Sequence, residues 1–169
     1  MRRFLATLPV LLLLWAILAG LNHAISPWHV HVFAGALYVT YAALAYPLRE
    51  GMAASFVGGL VVDASTPLPF GTHALLFATA HALLHHLRDR LPRDDTAGRV
   101  VIALMANFGL FLAVSLVAGG RAPPPADAWP RLLLDLVCSQ AAVALAAPWF
   151  FALQGRVLVL AAAEPEPIG

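Results

Sequence analysis

Seven histidines beside a single cysteine and no lysine make metal ligation the first chemistry to weigh in this chain of 169 residues. His81 and His85 stand one helical turn apart, with His73 two turns before His81, and two imidazoles at that spacing can share a metal. Three features argue against it. Cys138 is remote, Asp63 and Asp89 fall toward opposite ends of the run, and His85-His86 adjoins a cluster of arginines. His29 and His31, next to Trp28, suit a membrane–water interface better than a metal. No metal and no cofactor is expected. Covalent chemistry has as little support: Ser55 and Ser139 have no base at an activating spacing, and the chain has no Gly-rich phosphate loop, nucleophile elbow or paired intramembrane carboxylates. The chain is read as a non-enzyme, with no catalytic residues; only a convergence of Asp63, Asp135 or His73 from separate helices would make it one.

The most informative spacing is non-catalytic. Gly51, Ser55 and Gly59 recur every four residues and Asp63 continues the series, so all four share one face of a helix. Small residues at that interval let two helix backbones approach closely, which in lipid takes the place of a hydrophobic driving force. The face therefore points at protein. A carboxylate at its end must lie near an interface or find donors, and capping of the helix end and the Ser65-Thr66-Pro67 turn is its simplest duty. Arg131 and Asp135, one turn apart, are spaced for an ion pair. Asn107 and Gln140 are polar groups suited to bonding across helices.

The elements that position these residues are membrane helices. Hydrophobic residues make up 61% of the chain and charged residues 11%, with mean hydropathy +0.81, far from the composition of a water-soluble domain. A crossing helix needs about 20 apolar residues, so roughly six crossings consume most of the length. The apolar runs cover approximately residues 4–21, 32–48, 51–62, 72–87, 100–117 and 132–153, a single all-α transmembrane domain over 1–169. The first run is too long for a signal peptide and reads as an uncleaved helix. Asn22, His23, Ser26 and Pro27 form a breaker-rich turn after it, and Pro47 and Arg49 end the second run. Pro148 is expected to kink the last helix, and Pro130 suits its first turn.

Charge orients the bundle. All ten basic residues are arginine. With six crossings and both termini cytoplasmic, eight of the ten (Arg2, Arg3, Arg49, Arg88, Arg90, Arg93, Arg99 and Arg156) lie inside, leaving Arg121 and Arg131 outside. The arginines flank apolar runs instead of clustering on a solvated face, which excludes a nucleic-acid surface. The Ala122-Pro123-Pro124-Pro125 loop favours a stiff extended spacer.

The segment from Ala45 to Arg90, AYPLREGMAASFVGGLVVDASTPLPFGTHALLFATAHALLHHLRDR, resembles the MreD family of bacterial rod shape-determining membrane proteins. The resemblance is carried by Pro47 and Arg49 between the second and third helices, Gly58 or Gly59 followed by Asp63, Gly71 after a short polar turn, and Ala147-Pro148-Trp149-Phe150 near the end. It implies a non-enzymatic scaffold of the cell-elongation and peptidoglycan-synthesis machinery in the inner membrane. The implied partners are an MreC-like bitopic protein, an MreB-like cytoskeletal protein and peptidoglycan synthases. It also implies a helical core similar to the substrate-binding subunits of energy-coupling-factor transporters. The chain departs from the family in its helix-four histidines and in the acidic tail Glu164-Pro165-Glu166-Pro167. Asp63, Gly51, Ser55, Gly59, Gly71, Pro47, Arg49 and Pro148 are the candidates for partner docking or helix packing. The competing expectation is a substrate-binding subunit for vitamin or metal uptake, whose pocket the outer loops and the helix-four histidines would line.

Overall fold

A computed structural model describes residues 2–91, 95–120 and 128–163. Arg93, Arg121, the Ala122–Pro125 loop and the Glu164–Pro167 tail, all used in the charge and tail arguments above, lie outside the described residues. Six α-helices run in order: α1 (Arg2–Ile25), α2 (Ala36–Ala45), α3 (Leu48–Asp63), α4 (Thr72–Leu87), α5 (Thr96–Gly119) and α6 (Ala128–Ala163). No strand occurs among the described residues. Among the described residues, three stretches are long and apolar enough to cross a membrane: Leu11–Trp28, Thr96–Gly119 and Trp129–Val157.

The bundle is organised around its shortest long-range element. Every residue from Ala36 to Ala43 is buried, so α2 is enclosed on all sides and packs against α3, α4, α5 and α6. Tyr41 stacks on Phe151 and meets Phe150 and Tyr46 edge-on, joining α2 to α6. Outward-facing residues such as Met105, Leu116, Leu145 and Trp149 are large, apolar and exposed, as a lipid-facing surface requires.

The second apolar run departs from its expected helix over 32–48. Residues 30–34 are not helical, and α2 is confined to ten residues. Such a helix rises only about 15 Å, half the thickness of a bilayer's hydrocarbon core. The break begins at His29, whose φ of 55° is left-handed and ends the Ser26–Trp28 3₁₀ turn. Asn22 and His23, expected in a turn, belong to α1. The other end of α2 follows its sequence signal, since Pro47 is extended and precedes α3.

α4 coincides with its expected run over 72–87, whereas α1, α3, α5 and α6 run longer than their apolar cores because flanking polar and small residues continue them. Asp95 caps α5 by accepting from the Gly98 amide at 3.0 Å. α6 continues through Pro148 without interruption. Asn107 donates to Gln140 at 3.5 Å and Gln140 to the Leu104 carbonyl at 3.2 Å, the polar bridge between α5 and α6 that the sequence suggested.

Candidate functional site: the Asp63 cap and the strapped segment

α3 and α4 form a tight antiparallel hairpin, and the small residues of α3 explain how tight. A side chain at Gly59 would collide with the backbone of Ala74 and come within 2.6 Å of the His73 carbonyl carbon. At Gly51 it would run into the His81 imidazole. Ser55, between them, is fully buried. The face defined by Gly51, Ser55 and Gly59 is thus filled by α4 of the same chain, which leaves no room there for the partner helix that the sequence reading allowed.

Asp63 ends α3 and begins the next helix. Its Oδ1 accepts from the His73 amide at 2.9 Å, and its Oδ2 accepts from the amides of Gly71 at 2.9 Å and Ala74 at 3.1 Å. The His73 ring nitrogen Nδ1 lies 2.9 Å from Oδ1, and because an ionised carboxylate only accepts, Nδ1 carries the proton. The carboxylate therefore caps the start of α4, not its own helix end, and places negative charge where the α4 dipole favours it. Gly71 makes this possible with a φ of 97°, a backbone that lets its amide turn back toward Asp63. Asp63 itself is only 4% exposed. Four donors satisfy it, so its burial carries no unpaired charge.

An Asp–His pair of this kind orients a general base in many enzymes. Here His73 packs its ring on Phe33 and Phe77, with centroids 6.3 and 6.0 Å away, and no nucleophilic side chain bonds to it among the described residues. The arrangement is suited to holding two helices together.

Phe33 links this cap to a second device. The extended stretch before α2 has its amides captured one after another: His31 N donates to Asp135 Oδ1 at 2.8 Å, Val32 N to Asn22 Oδ1 at 2.7 Å, and Phe33 N to Ser139 Oγ at 2.9 Å. Asn22 Nδ2 also donates to the Val32 carbonyl at 2.9 Å. Side chains from α1 and α6 thereby replace the helical bonds that this segment lacks, which is how non-helical backbone is tolerated at membrane depth. Asp135 was expected to pair with Arg131; it serves His31 instead, and no Arg131–Asp135 ion pair forms among the described residues.

The candidates do not converge on one site. Asp63, Gly59 and Gly71 meet at the α3–α4 turn, whereas Gly51, Pro47 and Arg49 lie at the other end of α3, with Pro47 and Arg49 exposed. Pro148 is distant in α6. His81 and His85 stack with ring centroids 5.8 Å apart, and no third His, Cys, Asp or Glu joins them in a metal-holding group among the described residues. A cavity of about 270 Å³ lies between α1, α3 and the strapped segment. None of the helix-four histidines lines it, contrary to the pocket envisaged for an uptake subunit; of α4 only Phe77 reaches it. Asn22, Asp135 and Ser139 were each visible in the sequence, as a turn residue, an ion-pair candidate and a serine without a base, but their shared role as acceptors for the 31–33 amides was not.

Comparison with known proteins returned no match among curated proteins and none among solved structures. Residues 1–120, which include α1 to α5 and the whole Asp63 cap, match the family model described as rod shape-determining protein MreD. This all-helical membrane protein belongs to the MreD family of rod shape-determining proteins.

Proposed function

We propose that this chain is a non-enzymatic scaffold of the bacterial cell-elongation machinery, seated in the inner membrane with six crossings and both termini cytoplasmic. The observation that carries the reading is the family match over residues 1–120, combined with a site whose most reactive side chains, Asp63 and His73, are spent on each other and on backbone. The orientation is supported by the charges: Arg49, Arg88, Arg90, Arg99 and Arg156 gather at the end of the bundle opposite Asp63 and Asp135.

Partners of the MreC, MreB and peptidoglycan-synthase types follow from the family. With the small-residue face of α3 occupied by α4, docking of a bitopic partner falls to outward faces, such as the row Val101, Met105, Phe108, Leu112 and Leu116 on α5. The test is a mild-detergent pull-down of the tagged chain from its native cells, with mass spectrometry. Recovery of an MreC-like protein, weakened by Met105→Arg on the α5 row, is the expected result. Recovery of an ATPase pair with a coupling subunit, and no elongation protein, would overturn it.

A further inference from the structure

The cavity between α1 and the strapped segment has the shape and polarity of an amphipathic ligand. Its α1 wall runs from Leu11 through Leu14 and Leu18 to Asn22, a helical rise of about 16 Å. At the inner end the lining is Leu11, Gly58 and the rings of Tyr38 and Phe77. At the other end, level with the α1–α2 and α3–α4 turns, stand Asn22, His31, Ser65 and Thr66. The polar side chains, Tyr38 and the indole of Trp15 apart, are therefore gathered at the end level with those turns.

Two further observations bear on the occupant. Thr66 Oγ1 is buried and makes no hydrogen bond to any described residue, so this end holds a donor without a protein acceptor. Across the cavity, the strapped segment closes one wall with the apolar residues Val32, Phe33 and Ala34, and the amides of Val32 and Phe33 are already bonded away. An engineered apolar cavity of about 150 Å³ stays free of water and takes a benzene ring, so the inner, apolar part of this cavity of about 270 Å³ favours hydrocarbon over water. Among the described residues no Arg lines it, so none supplies the charge a small anionic solute would need.

We propose that this cavity is a lipid site that takes one hydrocarbon chain from the surrounding bilayer, with the chain end at Leu11 and Gly58 and an acceptor oxygen of the head region at Thr66. An ester carbonyl and a phosphate oxygen both satisfy the Thr66 hydroxyl, and the site is defined by that oxygen acceptor joined to a long chain. Because α1, α3 and the lead-in to α2 all line the cavity, the bound chain acts as a removable part of the packing that holds α1 on the bundle.

The test uses the full chain in vesicles of phosphatidylethanolamine and phosphatidylglycerol, doped with phosphatidylglycerol bearing a diazirine at the end of one acyl chain. The vesicles are dissolved in detergent to disperse bulk lipid and then irradiated, and the labelled peptides are mapped. The expected label falls on Leu11–Leu18 and the Gly58 region and not on the Met105–Leu116 face of α5. Leu18→Trp, which fills the cavity, should abolish the label; Leu13→Trp, on the exposed side of α1, should retain it, and Thr66→Val should weaken it. Label spread over α5 as densely as over α1, or label untouched by a folded Leu18→Trp protein, overturns the proposal. So does a photoreactive residue at position 18 that captures a membrane protein in cells and no lipid. Should Leu18→Trp fail to fold, the label map of the unaltered chain decides alone.

Discussion

Asp63 grips His73 twice, taking its backbone amide and its ring Nδ1 on the same carboxylate oxygen, each at 2.9 Å. Because Gly71 and Ala74 occupy the other oxygen, one side chain fixes where α4 starts and how closely it follows α3. Loss of that carboxylate leaves the amides of His73 and Ala74 unpaired in the buried start of α4.

Asp63→Ala is accordingly expected to destabilise the bundle by on the order of 3 kcal/mol, from a lost cap and charge-assisted bonds. For a chain of this size that lowers the apparent Tm in detergent by about 6 to 12 °C. Asp63→Asn, which keeps one acceptor oxygen, should fall between, and His73→Ala should cost less than Asp63→Ala. Thermal unfolding followed by circular dichroism ranks the three; equal Tm for Asp63→Ala and the unaltered chain would remove the cap from the account.

The left-handed backbone at Gly71 makes its own prediction. A β-branched residue there pays about 1–2 kcal/mol of steric strain, which Asn tolerates better. Gly71→Val should therefore unfold at lower temperature than Gly71→Asn, and the opposite order would mean that the turn relaxes without a left-handed residue.

Gly59 and Gly109 separate close approach from helix propensity. A Cβ at Gly59 strikes the Ala74 backbone, whereas one at Gly109 meets nothing within 4 Å. Gly59→Ala should reduce the yield of monodisperse protein although alanine favours helix, and Gly109→Ala should leave it unchanged or improve it by about 1 kcal/mol in stability. Gly59→Leu should abolish folding of the α3–α4 hairpin. A normal elution profile for that variant would sink the packing argument.

The strap is testable at the backbone. In hydrogen–deuterium exchange, the peptide spanning 29–35 should lose protection in Ser139→Ala and in Asn22→Ala, because the Phe33 and Val32 amides lose their acceptors. A helix beginning at Val32 would keep its inner amides bonded whatever stands at those positions. Unchanged exchange in both variants would therefore restore the continuous helix.

Much of this architecture could be read from residues in order. The apolar runs gave the six helices, since each element in lipid must satisfy its own backbone and helical hydropathy reports that directly. The four-residue recurrence of Gly51, Ser55, Gly59 and Asp63 gave a close-packed face, and a buried carboxylate at its end had to find donors. The extended lead-in to α2 was not readable, because Val32 to Ala34 is continuous in apolar character with the helix that follows and hydropathy carries no phase in a uniformly apolar run.

By itself, the sequence determined that this protein is a helical membrane bundle and which face of its third helix meets protein, since both depend on local burial cost and on spacing along one helix. The tertiary structure decided which protein that face meets, which helix Asp63 caps, and that Asp135 and Ser139 hold amides of a segment more than a hundred residues before them. Those outcomes depend on which helices become neighbours, and a hydrogen bond between distant residues leaves no period in the sequence from which it could be read.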